Sequence, residues 1–418
     1  MLLTVLADDF TGALDTGIQF AAKGIATYVA FGNLENAWQQ NCEVLVIDLQ
    51  SRHLSSEEAF RAAFSAARCA KEAGAQYLYK KTDSTLRGNI GAELEGALRG
   101  FGEEKLCFVP AYPKLDRITR GMVQFVEGQP LCQTAYARDA LNPVRFSRVD
   151  KILQEQSSLP VFSEDGNWGH GIFVADAETD EDLKTLAERV KGKFRVFAGC
   201  AGFAEFLDRA LPLKRGELPC PEKRDRLLLV SGSIHPHSLE QLQEAQRQGR
   251  KVVALTPEIK LSLCLEGSGI PASVEARMTE ILKEEGTAVL ASVLSREEVE
   301  KFDRMAESSG IPAQKAAEYL SHALGDFCGR MTCRIPKTAI AVFGGDTAAQ
   351  VLRACGAEGI RPVARICEGV PGCLFQSLDG VEHLLVTKAG GFGELGMIRK
   401  IEESVKIAPD PKRKEKKE

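Results

Sequence analysis

The sequence predicts an α/β protein of two domains, each a mainly parallel sheet flanked by helices. Three observations carry this expectation. At 418 residues the chain exceeds what one ordinary hydrophobic core holds. Both halves repeat one grammar: a short β-branched run, a polar or glycine turn, then a segment of helical period. Alternation of that kind builds parallel sheets covered by helices. Between the halves lies PLKRGELPCPEKRDR (212–226), rich in proline and charge, which reads as a linker. The expected division is a first domain over 1–211, the linker, a second domain over 227–404, and a charged, disordered tail over 405–418.

In order, the first half offers strands at 2–7, 27–31, 44–49, 77–80, 106–109, 171–175 and 194–197. A helix is expected to follow DDFTGALDTG and run through about Ala22, with others at 55–73, 89–101, 180–190 and 202–211. Residues 110–170, punctuated by Pro110, Pro113, Pro130, Pro143 and Pro160, read as a lid or a substrate-lining excursion. The second half restarts with a strand at 227–230 and a helix at 239–248. Strands at 252–255 and 288–291 and a helix at 314–329 follow. A strand at 340–343 then meets a helix at 348–354, and a last strand covers 384–387.

Composition excludes several classes of function. Hydrophobic content of 44% and charged content of 27% are those of a soluble globular chain. A net charge of −5 provides no footprint for nucleic acid or an anionic membrane. The twelve cysteines are scattered, with no CxxC or His-Cys cluster at metal spacing. No run reaches the length of a membrane span, and the N-terminus has no signal-peptide pattern. A reducing cytoplasm is the expected location, with the cysteines acting as small buried hydrophobes.

Three strands of the second half end in glycine turns: Ser231-Gly232-Ser233, Gly344-Gly345-Asp346-Thr347, and Lys388-Ala389-Gly390-Gly391-Phe392-Gly393. Glycine lets backbone come close to a ligand, and a helix start presents free N–H groups to a phosphate. Expected on one edge of one sheet, the three turns are best explained by a shared anionic ligand, a nucleotide phosphate. There is no GxxxxGK[ST] and no GxGxxG after the first strand, so neither a P-loop nor a dinucleotide site is expected. Asp346 is either the cap of its helix or a ligand for Mg²⁺. Lys388 offers a charge for a phosphate or for a helix C-terminus.

In the first half, Asp8 and Asp9 fall just past a buried strand, where adjacent carboxylates need hydroxyl or cation partners. KKTDSTLRGN (80–89) crowds Lys81, Asp83, Ser84, Arg87 and Asn89 into one strand-to-helix turn, with Gly88 permitting close approach. Arg87 can grip a carboxylate bidentately, and Asp83 can accept a hydroxyl proton. Arg117, Thr119 and Arg120 read as anion-binding candidates or as surface charge. His235 and His237 are assigned no role.

LADDFTGALDTG, KKTDSTLRGN, VPAYPKLDRIT with its later G-x-P-L (Gly128 to Leu131) and NPV, VSGSIHP, GGDTA and VTKAGGFG occur in one order along the chain. In this the chain resembles the four-carbon acid sugar kinase family. The resemblance implies a sugar-acid-binding domain, a nucleotide-binding domain and an active site in the cleft between them. It implies ATP-dependent phosphorylation of the terminal hydroxyl of a 3-oxo-tetronate, threonate or erythronate. By position, Ser231, Gly232, Ser233, Gly344 to Thr347, Gly390 and Gly391 look like ATP contacts, with Mg²⁺ as cofactor. Asp8, Asp9, Lys81, Asp83, Ser84, Arg87 and Asn89 look like the sugar-acid site, with Arg87 and Lys81 on the carboxylate. Asp83 is the expected base and Asp9 its rival. The chain departs from the family at Asp116-Arg117, at Asp139 to Asn142 and at Ala389. The expected partners are a small sugar acid and ATP, with a homodimer left open. A kinase for another small hydroxy acid, or a non-catalytic ATP-binding sensor of sugar acids, is the alternative.

Overall fold

The computed structural model describes residues 1–32, 34–139, 141–163, 169–218 and 220–407. Most of the expected charged tail, from 408 onward, lies outside the described residues. The chain divides into two compact units, Met1–Pro219 and Cys220–Glu418.

In the first unit, strands β1 (Leu3–Ala7), β2 (Thr27–Ala30), β3 (Val44–Asp48), β4 (Tyr77–Lys81) and β5 (Lys105–Val109) alternate with helices. A small antiparallel sheet follows, formed by β6 (Arg117–Arg120), β7 (Val123–Val126) and β8 (Gln129–Pro130). The main sheet resumes with β9 (Val161–Ser163), β10 (Gly171–Val174) and β11 (Val196–Gly199). Its order is β2-β3-β1-β4-β11-β5-β10-β9, and every pairing is parallel. β1 and β3 are buried throughout, as strands covered on both faces must be.

Several boundaries differ from expectation for local reasons. The helix expected at 55–73 spans Ser56–Glu72, because Ser55 and Glu58 form a reciprocal capping box. The helix expected at 202–211 is broken into Ala201–Ala204 and Leu207–Ala210. Within the excursion after Val109, Gly121 and Met122 both have positive φ and close a two-residue hairpin between β6 and β7. Gly-Met is a weak sequence signal for that turn, so the hairpin was not expected.

The second unit contains β12 (Arg226–Ser231), β13 (Val252–Ala254), β14 (Thr287–Ala291), β15 (Thr338–Phe343), β16 (Gly359–Cys367), β17 (Val370–Gln376) and β18 (Glu382–Lys388). The order β13-β14-β12-β15-β18 is parallel. β17 and β16 then continue it antiparallel as a hairpin absent from the sequence reading. Helices Pro257–Glu266, Ala272–Glu285 and Arg296–Ser308 were also not anticipated. The last buries only Val299, Phe302 and Ala306, a stripe too narrow to stand out among its charges. Among the described residues, no helix is long and apolar enough to cross a membrane.

Candidate functional site

β3, β1 and β4 are neighbours, so whatever follows their carboxyl ends gathers on one edge, where parallel sheets collect ligands. Asp8 and Asp9 follow β1, Asp48 ends β3, and Lys81 ends β4 ahead of Thr82 to Asn89. The group that joins them is Arg52, which the sequence reading passed over. Its Nε lies 2.7 Å from Asp8 Oδ2, its Nη1 2.7 Å from Asp9 Oδ2, and its Nη2 4.0 Å from Asp83 Oδ1. The loop that carries it is tied down locally, since the N–H groups of Ser51 and Arg52 donate to Asp8 O at 3.0 and 3.3 Å. Gly88, with φ +89°, leaves room for the stem: a Cβ there would stand 3.1 Å from Arg52 Cγ.

Arg87 is engaged within the chain. Its fork closes on Asp83, with Nε 2.7 Å from Oδ2 and Nη2 3.3 Å from Oδ1, while Nη1 reaches Asp139 at 3.2 Å. The sequence reading places Arg87 on a substrate carboxylate; here the i,i+4 carboxylate of Asp83 takes its fork. Thr85 Oγ1 also donates to Asp83, at 2.5 Å. Asn89 lies behind the edge and braces it: Nδ2 donates to Ser51 O and Leu54 O, and Oδ1 accepts from Ser56. Ser84 accepts from Arg117, so β6 reaches the same edge. Asp116 holds a left-handed conformation (φ 51°, ψ 37°) that aspartate tolerates better than most residues. Lys81 is buried, its Nζ donating to Thr82 O at 2.8 Å. Lys80 forms a fully buried pair with Glu93 at 3.2 Å.

These contacts separate the acids. Burial would raise Asp8, but the Arg52 guanidinium, then Lys81 and Lys80, hold it below the ordinary carboxylate value. Asp83 is likewise opposed by burial yet held far down by Arg52 and Arg87. Asp9 is raised by burial, which with the neighbouring Asp8 charge outweighs Arg52. Its side chain keeps 30% of its surface exposed. One oxygen of Asp8, Oδ1, is buried without a hydrogen-bond partner, an acceptor that lacks a donor.

Asp48 is pushed up to about 7 by burial, with the Asp9 and Asp8 charges adding and the Gln50 N–H opposing. An acid whose folded pKa is raised stays protonated while the unfolded chain ionises, so its penalty grows as pH rises from about 4 to about 7. Asp48→Asn is therefore expected to be more stable than the parent at pH 8, by roughly 1–3 kcal/mol. The advantage should fade towards pH 4. A constant difference across thermal melts in that range would show that Asp48 does not titrate this way.

In the second unit, β12, β15 and β18 are adjacent, and their three glycine turns interlock. Gly232 N donates to Phe343 O and Gly344 N to Lys388 O, each at 3.0 Å. A Cβ on Gly232 would overlap Thr347 Oγ1, and one on Gly390 would stand 2.7 Å from His235 Cβ and 3.3 Å from Ser233 Oγ. A side chain is excluded at Gly232 and at Gly390, so backbone lines the edge at both. Ser231 Oγ is buried without a partner. That orphan hydroxyl and the bare backbone fit the oxygens of a polyphosphate. Gly391 lies on the same turn, within 3.4 Å of His235 Nε2 by the position of its missing Cβ.

Two sequence expectations change here. The N-cap of helix Gly345–Ala354 is Gly344, with φ +117°, so Asp346 sits exposed within the first turn and does not cap it. Lys388 is 1% exposed and points inward, so it offers no charge to a phosphate. Burial pulls its pKa down to about 8, with the Cys367 thiol opposing. His235 caps helix Pro236–Arg247, in keeping with its unassigned role. Among the described residues, no group of three or more His, Cys, Asp or Glu side chains is placed to hold a metal, and the cysteines are free.

Residues 3–207 match the family described as a sugar-binding N-terminal domain, and residues 228–397 the one described as a nucleotide-binding C-terminal domain. A D-threonate kinase from Salmonella typhimurium is 31% identical over 415 residues, covering 94% of this chain and 96% of the relative. A 3-oxo-tetronate kinase from Pseudomonas fluorescens is 26% identical, covering 94% of each. A D-erythronate kinase from Heliobacterium modesticaldum is 31% identical over 58% of this chain and 60% of its own length. Among solved structures, a Haemophilus influenzae protein shares the fold, with a TM-score of 0.76 at 19% identity over 96% of this chain and 99% of its own. Matched by both domain families and by a relative of 31% identity along nearly its whole length, the chain belongs to the four-carbon acid sugar kinase family.

Proposed function

We propose that this protein phosphorylates the terminal hydroxyl of a four-carbon sugar acid, threonate, erythronate or 3-oxo-tetronate, with ATP as donor. The observation that carries the reading is the Arg52 hub, where one guanidinium gathers three acidic side chains beside an acceptor oxygen, Asp8 Oδ1, that lacks a donor. A polyhydroxy acid supplies hydroxyl donors for Asp8 and a carboxylate for the buried cations. Lys81, Ser84 and Arg87 shape this edge, and Asn89 braces it.

Asp9 is the proton acceptor in this scheme rather than Asp83. A base needs residual affinity for a proton; Asp83, gripped by Arg52 and Arg87, has little, whereas Asp9 is raised and partly exposed. The substrate oxygen forms its bond to the γ-phosphorus as the bond to the bridging oxygen of ADP breaks, and the hydroxyl proton passes to Asp9. Asp83 orients the hydroxyl chain. Ser231, Gly232, Ser233, Gly344, Gly345, Thr347, Gly390 and Gly391 take the nucleotide phosphates. Mg²⁺, when bound, neutralises phosphate charge, and Asp346, exposed at the first turn, is the carboxylate suited to it. The free cysteines accord with a cytoplasmic location.

The test is ADP release over a panel of tetronates and longer aldonates, with Asp9→Asn and Asp83→Asn beside the parent. Turnover confined to four-carbon acids is expected, with Asp9→Asn down by about 10²–10⁴. Binding without turnover would make the protein a sensor, and near-normal turnover of a folded Asp9→Asn would return the base role to Asp83.

A further inference from the structure

Lys388 ends β18 beside the nucleotide turns, yet its charge meets no carboxylate in its contacts. Its Nζ is instead ringed by oxygens: Ser238 Oγ at 3.0 Å, Ala389 O and Gly390 O at 3.1 Å, and Phe392 O at 3.3 Å. The Phe343 ring closes another side, its centroid 4.5 Å from the nitrogen. An ammonium has three N–H donors and no acceptor, so four oxygens around it form a cation cage rather than a set of paired hydrogen bonds. Carbonyls that converge without a cation repel one another and lose hydration. The cage is also braced from helix Pro236–Arg247, where Ser238 Oγ donates to Gly390 O and Gln241 Nε2 donates to Phe392 O.

We propose that the Lys388 ammonium is a tethered monovalent cation that shapes the nucleotide loop, standing where a free potassium or ammonium ion would otherwise be needed. The proposal rests on the nucleotide reading of the glycine edge. In a trans peptide the carbonyl and the following N–H point in opposite directions. With the carbonyls of Ala389, Gly390 and Phe392 turned onto the ammonium, the N–H groups of Gly390, Gly391 and Gly393 turn away from it, where phosphate oxygens can accept them. Lys388 is thus a positioning residue. It organises donors for the nucleotide without touching it.

Truncating the side chain to alanine empties the cage but keeps its oxygens, so a small free cation can take the place of the ammonium. Methionine fills the same channel with an apolar stem and leaves no room for an ion. The experiment measures ATP binding, ATP KM, kcat and thermal melting for the parent, Lys388→Ala and Lys388→Met. Each is assayed in choline chloride and then in potassium, ammonium or methylammonium chloride.

Lys388→Ala in choline is expected to raise ATP KM by about tenfold to a hundredfold, the scale of a lost charged hydrogen bond, with a smaller change in kcat. Ammonium or potassium should restore both KM and melting temperature in Lys388→Ala alone, and the parent should be indifferent to the cation. An alanine variant with parental KM in choline overturns the proposal. So does a defect that no cation relieves in the alanine variant, whether read by KM or, if folding is impaired, by melting. Failure of the parent to bind ATP would sink the nucleotide reading instead, while the cation dependence of melting would still decide whether the cage holds an ion.

Discussion

Arg52→Met is expected to abolish turnover and to lower stability by about 3–5 kcal/mol, the scale for removing one partner of a buried charge cluster. Asp8, Asp9 and Asp83 would be left facing one another across the edge with their shared cation gone. Arg52→Lys should recover little, because an ammonium is a single point of charge and cannot present three nitrogens in a plane. The pH dependence has a definite sign. Arg52 depresses the folded pKa of Asp8 and Asp83, so the stability it contributes is present above the ordinary carboxylate pKa of about 3.9 and is lost as pH falls below it. The gap between parent and Arg52→Met in thermal melts should therefore be widest near neutrality and narrow towards pH 3. Turnover of Arg52→Met within tenfold of the parent would remove Arg52 from the hub.

Gly232→Ala is expected to weaken ATP binding by about a hundredfold and to destabilise by about 1–3 kcal/mol, the usual penalty of overpacking. The added methyl would overlap Thr347 Oγ1, where the first and second glycine turns interlock, so one of the two must move off the phosphate edge. Adding Thr347→Ala removes the obstructing oxygen. The double variant should regain most of the lost melting temperature while ATP binding stays weak, since the Thr347 hydroxyl that would meet the phosphates is then gone. A Gly232→Ala protein with parental ATP affinity would show that the turn does not approach the nucleotide.

The glycine edge was legible because its signal is local. Each of Gly232, Gly344 and Gly390 follows a recognisable apolar strand, and parallel strands place their carboxyl ends together as a rule of the fold class. Asp8, Asp9 and Asp83 were found in the same way. Arg52 and Asp48 were missed although the strand at 44–49 was anticipated, because neither its end nor the residues after it were read as part of the edge. Their weight depends on β3 lying beside β1, which nothing in DLQSRHLSS announces. The strand-end rule applied to every strand would have found both.

The sequence by itself determined the α/β class, the family, the separation of acidic and glycine-rich edges and the identity of most groups on them, because strand, turn and cap signals act over a few residues. Only the tertiary structure decided which way each charge points. Arg87 faces Asp83, Lys388 faces carbonyls, Asp346 lies inside its helix, and Arg52 reaches across from a neighbouring strand. A side chain's partner is whichever complementary group lies within about 3 Å of it once strands are paired, and that choice is made by register and burial rather than by spacing along the chain.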